Sequence, residues 1–409
     1  MCNPAFPYAG HMAALPSNPI FDLLPRLSEP GFISFAAGVP SPAAFPREDL
    51  HRLVAQLMEE DGFAPDAPSL WQYGSTEGYP LLRESAQVLF SRAGIDMTAA
   101  LSSNRIFITT GGQQAIDLFC RLMIEPGDPV LVETPTYSAT LQILSVYQAN
   151  PIGIPSDEDG ILPDALEELI RKHRPKFIYL IPNFQNPSGR TLNLERRRRV
   201  AHLAAQYGVM VIEDDPYREL RYFGEHLPSI KSCAQQDCCD SGHVIYMTSV
   251  SKILCPGLRV GACLLPDDLF DHMIVAKQTA DMHSAILPQA IADKYLRAGL
   301  LDGHLAVVLP LYRERLSAMK QAAARYFPQE AVFTDPQGGL FLFCTLPPQV
   351  DTASLLPAAV DRKIAFIPGE QFYAGERVTN TMRLNFSNET PEVIDRGMKA
   401  LGTLLKEVL

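Results

Sequence analysis

Basic charge is in short supply. Thirty-five lysines and arginines stand against 46 aspartates and glutamates, a formal net charge of −11 at pH 7. That deficit opposes non-specific attraction to nucleic acid and to anionic membranes, and makes small molecules the expected partners. Long apolar runs are missing too: none approaches the roughly 20 residues needed to span a bilayer. The opening residues MCNPAFPYAG hold neither a basic leader nor an extended apolar region, so a cytoplasmic address is expected. Eight cysteines among 409 residues are too few for a disulfide scaffold. Cys120, Cys263 and Cys344 lie in apolar runs as small core residues do, and reduced thiols are expected. Internal repeats and low-complexity tracts are also absent.

An apolar share of 47% can build a large buried core, in one large or two ordinary domains. Cys233, Cys238, Cys239 and His243 could supply four zinc ligands. Their C-x4-C-C-x3-H spacing is not a usual paired-cysteine pattern, and a polar surface loop before a strand is the simpler expectation.

Short β-rich runs recur through the middle: RIFITT (105–110), PVLVET (129–134), KFIYLIP (176–182), VMVIEDD (209–215), HVIYMTS (243–249) and VGACLLP (260–266). Between most of them lie stretches of helical period, such as QQAIDLFCRLMIE, DALEELIRKH and ERRRRVAHLAAQYG. The alternation predicts an α/β fold with a mainly parallel sheet covered by helices on both faces. The arginines of ERRRR precede Val200, Leu203 and Ala204 on one helix, and a solvated helix face is expected for them. After about residue 300 a long helical stretch, the strands GGLFLFCTL and TMRLNFS, and a closing helix predict a smaller α+β domain. The first 45 residues are Pro-rich, with one helical pattern in NPIFDLLPRL, and are expected to pack on another element or subunit.

In an open parallel sheet ligands bind beyond the carboxyl ends of the strands. After RIFITT come Gly111 and Gly112, which open a helix whose free N–H groups can cradle a phosphate, though glycines at such turns are often structural. After PVLVETP comes Tyr137, able to lie against an aromatic ligand or merely to cap a helix. After KFIYLIP, Asn186 precedes Pro187 and Gly189, where it either makes a bend or offers its amide to a ligand. VMVIEDDPY ends an apolar strand in Glu213, Asp214 and Asp215, with Tyr217 three residues beyond Asp214. Carboxylates there are costly unless paired. A metal is the rival reading, but no second carboxylate or histidine cluster completes a shell, so no metal is expected. After HVIYMTS, Lys252 stands between Ser249 and Ser251 on one side and Arg259 on the other, which suggests a phosphate clamp with an amine inside it. A phosphorylated aromatic aldehyde would use all five strand ends.

The chain resembles pyridoxal-phosphate enzymes of fold type I. The likeness is to the class I/II aminotransferases, in the branch holding 2-aminoadipate and kynurenine aminotransferases and the effector domains of MocR-type regulators. The likeness runs through FISFAAGVPSPAAFP, WQYGSTEGYPLLR, TTGGQQAIDL, ETPTYSAT, PNFQNPSGRT, VIEDDPY, SVSKILCPGLRVG, GGLFLF and MRLNFS. It implies a seven-stranded large domain at 49–300 that binds pyridoxal 5'-phosphate, an arm and part of the small domain at 1–48, and a C-terminal small domain at 301–409.

By the same resemblance, Lys252 forms the Schiff base with the cofactor and later carries the proton. Asp214 keeps the pyridinium nitrogen protonated, and Asn186 and Tyr217 bond the ring's phenolic oxygen. Tyr137 stacks on the ring. Ser249, Ser251, Arg259 and the backbone at Gly112 and Gln113 hold the phosphate. Tyr73 is lent to the neighbouring subunit's phosphate, which implies a homodimer with shared active sites. Arg383 grips the substrate α-carboxylate, with Gly38 leaving room.

Two positions depart from the pattern. Gly112 stands where Ser or Thr is frequent, so one hydroxyl contact to phosphate is expected to be missing. Phe21 follows Ile20 where acid-reading members carry Arg, which tilts the expectation toward neutral, aromatic or aliphatic donors, unless Phe21 only packs. The implied activity moves an amino group from an L-amino acid to a 2-oxo acid. The same site chemistry also serves decarboxylation, elimination or oxidation. A MocR-like sensor is the alternative of another class, but only some 30 Pro-rich residues precede FISFAAG.

Overall fold

The computed structural model describes residues 8–13, 29–60, 70–237, 239 and 241–409. Seven strands form one sheet: β1 Asn104–Thr109, β2 Pro129–Glu133, β3 Asn150–Ile154, β4 Phe177–Leu180, β5 Met210–Asp214, β6 Val244–Ser249 and β7 Gly261–Pro266. Their spatial order is β1-β7-β6-β5-β4-β2-β3. Neighbours pair in parallel except β7, which runs antiparallel to both β1 and β6. The five strands β1, β2, β4, β5 and β6 therefore end on the same side. The anticipated strands lie within two residues of these bounds. The seventh, β3, has the sequence NPIGI, whose proline and glycine disguise it. It lies at the sheet edge, where a strand tolerates proline.

Helices α1 Gly112–Met123, α2 Ser138–Val146, α3 Pro163–His173, α4 Leu194–Tyr207 and α5 Ile230–Gln236 make the crossovers, and α6 Asp267–Gln278 and α7 Ile286–Arg297 complete the covering. Side chains alternate across the sheet: on β4, Phe177 and Tyr179 join one buried cluster while Ile178 and Leu180 join another with α3 and α4. The first of these clusters continues into the C-terminal part of the chain. There α8 Leu300–Tyr326 packs on α9 Pro391–Val408. Beside them lies an antiparallel sheet of β8 Val332–Phe333, β9 Phe341–Thr345, β10 Ile367–Pro368 and β11 Thr381–Asn385, in the order β8-β9-β11-β10. Ile33 and Ser34 pair in parallel with Ile364 and Ala365, tying the early segment to this unit.

One expectation for ERRRR fails. Arg198 is exposed, but Arg197 is wholly buried. Its guanidinium donates to the carbonyls of Leu192, Pro228 and Pro182 at 2.8, 2.9 and 2.9 Å and to Asn183 Oδ1 at 2.7 Å. The residue lies on the inward stripe of α4 with Val200 and Ala201, a turn position that a count of charges hides. The cysteine loop is corrected too. Cys233 is buried within α5, not on a polar surface loop, while Cys238 lies outside the described residues. Among the described residues no group of His, Cys, Asp and Glu could hold a metal ion. Cys120, Cys263 and Cys344 are buried and not disulfide-bonded. The stretch NPIFDLLPRL, Phe21 included, lies outside the described residues. No described helix is long and apolar enough to cross a membrane.

Candidate active site

The carboxyl ends of β1, β2, β4, β5 and β6 converge on a cavity of about 300 Å³. Its lining includes Gly112 and Gln113 after β1, Tyr137 after β2, Asn186 after β4, Asp214 and Tyr217 at β5, and Ser249, Ser251, Lys252 and Arg259 after β6. Gly38 and Arg383 close it from the other unit. Twelve separate residues singled out in the sequence are thus brought to one space.

Lys252 owes its setting to the turn that follows it. A single 3-10 turn, Pro256–Leu258, leads into Arg259, whose φ of 54° is left-handed. The reversal is taken at Arg259 rather than at Gly257, and it returns the chain into β7. Lys252 Nζ donates to the Gly38 carbonyl at 2.9 Å. Burial, helped by the charges of Arg383 and Arg259, lowers its pKa from 10.5 to about 8.

Arg259 reaches the start of α1, where it donates to the Thr110 carbonyl at 3.4 Å. Gly111 makes this approach possible: its φ is 76°, and a Cβ there would meet Arg259 Nη2 at 2.6 Å. Among the described residues no side chain caps the start of α1, whose first N–H groups can therefore bind an anion. The Ser249 hydroxyl lies 2.8 Å from Ser251 Oγ and 3.0 Å from the Val260 carbonyl.

Asp214 is buried, and burial is the main cause that pushes its pKa from 3.8 to about 7, with the neighbouring Asp215 adding to it. Asp215 is held by Asn183 Nδ2 at 2.8 and 2.9 Å and by the Tyr246 hydroxyl at 3.1 Å. Tyr217 stands edge-on to Phe341 with 5.9 Å between ring centroids. Its phenol is pushed well above the ordinary range, first by burial. The Tyr137 phenol is raised by burial and by Asp214.

Arg383, on β11, donates from Nη1 to Asn186 Oδ1 and from Nη2 to the Ala36 carbonyl, both at 2.8 Å. Asn186 thus accepts from Arg383 through its carbonyl oxygen, and its side chain also acts on the Tyr217 phenol, opposing the rise of that pKa. The guanidinium lies over Phe341 at 4.3 Å and Phe372 at 5.2 Å, and its buried Nε has no hydrogen-bond partner among the described residues. Burial lowers its pKa to about 10. Gly38 is required here, since a Cβ would meet Phe341 Cζ at 2.7 Å.

Tyr73 is not among the cavity-lining residues. It is 78% exposed and stands edge-on to His283 at 5.8 Å. Sequence reasoning missed Tyr179, whose hydroxyl donates to Asp214 Oδ2 at 2.6 Å, because it sits in an apolar strand like any core aromatic. It also missed Glu133 at the end of β2, a buried carboxyl that accepts from the Ile181 N–H at 2.8 Å and is pushed to about 8 by burial.

The family model for aminotransferases of class I and II matches residues 32–401. The chain belongs to the class I and II aminotransferases. It is 38% identical over 393 residues to aromatic-amino-acid aminotransferase 1 of Thermococcus litoralis, spanning 95% of this chain and 91% of that one. The solved structure of a multiple substrate aminotransferase from Thermococcus profundus superposes with a TM-score of 0.90 at 36% identity, covering 98% and 97% of the two chains. That of α-aminoadipate aminotransferase from Thermus thermophilus, complexed with N-(5'-phosphopyridoxyl)-L-leucine, gives 0.87 at 34% identity over 98% and 97%.

This aminotransferase uses pyridoxal 5'-phosphate and moves an amino group from an amino acid to a 2-oxo acid. The cavity fits that cofactor on its own chemistry: an amine for the aldehyde, a buried carboxyl for the ring nitrogen, and an uncapped helix start beside Arg259 for the phosphate.

Proposed function

We propose that the cavity at the strand ends is the transamination site, with Lys252 as the amine that holds the cofactor and then moves the proton at the substrate Cα. Pyridoxal phosphate, when bound, would supply an electron sink for the bond broken at the substrate Cα. Every other part falls to the chain. Asp214 accepts from the ring N–H, and Asn186 and Tyr217 hydrogen-bond the phenolic oxygen. Tyr137 packs on the ring face. The backbone N–H groups of Gly112 and Gln113, the hydroxyls of Ser249 and Ser251, and Arg259 hold the phosphate. Arg383 binds the substrate α-carboxylate with the N–H groups left after its bonds to Asn186 and Ala36. The observation that carries this reading is the convergence of these groups on one cavity of about 300 Å³.

We further propose a neutral, aromatic or aliphatic amino acid as donor. The cations among the described lining residues are Lys252, Arg259 and Arg383, and each already has a role, which leaves none for a side-chain carboxylate. The names of the relatives span aromatic amino acids, α-aminoadipate and multiple substrates, so this choice rests on the charge inventory. The active form is a homodimer in the cytoplasm. Support comes from the exposure of Tyr73 at 78%, ready for a neighbouring subunit's phosphate, and from buried free thiols that suit a reducing compartment.

A screen of amino acids against the holoenzyme tests the proposal. Donors should bleach the cofactor's visible absorbance, a 2-oxo acid should restore it, and Lys252→Ala should do neither. Faster bleaching by glutamate or aminoadipate than by aromatic or aliphatic amino acids would remove the donor assignment. Sedimentation of the holoenzyme as a monomer would remove the homodimer.

A further inference from the structure

Tyr179 belongs to β4, one strand over from Asp214 on β5, and its ring is completely buried. The adjoining strand pairs Tyr179 with Ile212, so the phenol points along the same face as Asp214, two residues further on. Its hydroxyl donates to Asp214 Oδ2 at 2.6 Å, a short, charge-assisted distance. Oδ1 lies on the other side: a Cβ built on the cavity-lining Gly112 would be 3.9 Å from it. One carboxylate oxygen is thus committed to the protein, and the other fronts the cavity.

We propose that Tyr179 is a positioning residue for amino-group transfer: it fixes which oxygen of Asp214 meets the cofactor's ring nitrogen and holds that side chain as a carboxylate. The proposal rests on the role given to Asp214 above. Burial and the neighbouring Asp214 together keep the phenol protonated, well above its ordinary pKa, so it is always a donor. The acids around Asp214, namely Asp215, Glu133, Tyr137, Tyr217 and Cys263, work against its charge or add none, and the cations that share its cavity, Lys252, Arg259 and Arg383, are not among the groups that set its pKa. Of the hydrogen bonds to Asp214, the one from Tyr179 acts to keep it ionised. Without that bond the pair of ring nitrogen and carboxyl shifts its proton to the carboxyl, and the ring loses its positive charge.

The test is the nitrogen-15 resonance of ring-labelled pyridoxal phosphate in the holoenzyme. Tyr179→Phe should move it toward the unprotonated pyridine range. Losing a hydrogen bond to a charged group should also weaken cofactor binding and kcat by roughly ten- to hundredfold, with KM for the donor little changed. Tyr179→4-fluorophenylalanine fills the hydroxyl's space without its proton and should move the resonance equally, even where Tyr179→Phe does not fold. Asp214→Asn serves as the reference. If Asp214→Asn moves the resonance and neither change at Tyr179 does, Tyr179 is only a core residue and the inference is overturned. If none of the three moves it, the role given to Asp214 falls as well.

Discussion

Lys252 should capture its aldehyde as the pH rises through about 8, far below the range of an ordinary lysine. Burial is the larger cause, because an ammonium withdrawn from water loses its hydration; Arg383 and Arg259 add repulsion. Both favour the neutral amine, the form that attacks a carbonyl. At pH 7 an amine titrating at 8 is about 10% neutral, whereas one titrating at 10.5 is roughly 0.03% neutral, a difference of about 300-fold. Mixing apoprotein with pyridoxal phosphate in a stopped-flow cell and following the absorbance reads this directly. The second-order rate constant should climb by nearly tenfold per pH unit well below pH 8 and level off above it. Arg383→Met removes one of the two guanidinium charges and should raise the midpoint by less than about one pH unit. The effect is modest because Lys252, although walled by protein, keeps part of its side chain open to the cavity, whose water screens the arginines. A midpoint near 10.5 in the native chain, or one that falls with Arg383→Met, would refute the reasoning.

Asp214→Asn should stabilise the apoprotein. The native carboxyl titrates at about 7 against 3.8 ordinarily, so its cost to folding is absent below pH 3.8, grows between these values and is complete above 7. Urea unfolding should find the variant about 2–4 kcal/mol more stable at pH 8 and equal to the native chain near pH 4. Gly38→Val puts a Cβ where Phe341 Cζ lies 2.7 Å away and Arg383 Nη1 3.9 Å away. Steady-state kinetics should register at least about a tenfold rise in KM for the amino donor, with cofactor affinity near native. Arg197→Met leaves three carbonyls and Asn183 without their donor and should cost about 3–5 kcal/mol in chemical denaturation. Arg198→Ala, at the next position of the same run but exposed, should stay within about 0.5 kcal/mol.

The contrast between Arg197 and Arg198 marks the limit of reading charge from sequence. Composition places both on a polar helix face, while the 3.6-residue period turns one inward, where its guanidinium finds the Leu192 and Pro182 carbonyls in the segment between β4 and α4. The strand ends were legible for the opposite reason: a polar residue closing an apolar run has only one place to be in a parallel sheet. Asp214, Lys252 and Asn186 each interrupt such a run. Tyr179 and Glu133 do not stand out, because a phenol in FIYL or a carboxyl in PVLVE passes as core or as a turn until the facing atom is known. β3 was hidden by Pro151 and Gly153, which only an edge position makes tolerable.

The same strand ends also explain why the cavity is electrostatically incomplete without its cofactor. Asp214 is pushed toward its neutral form, and so are Lys252 and Arg383, so the fold carries opposing charges that the cavity keeps apart rather than pairs. Pairing them directly would quench the site, since a carboxylate bound to Lys252 would restore its high pKa and remove the neutral amine. Distance is preserved instead by giving each group its own neutral or committed partner: Tyr179 for Asp214, the Gly38 carbonyl for Lys252, Asn186 and the Ala36 carbonyl for Arg383. A ligand with a cationic ring nitrogen at one end and a dianion at the other would supply counter-charges for Asp214 and Arg259, its aldehyde would take up the Lys252 amine, and Arg383 would be left for a substrate carboxylate. Its binding would then stabilise the fold as well, because the charged groups at the ends of β5 and β6 would be met by the cofactor rather than by the chain.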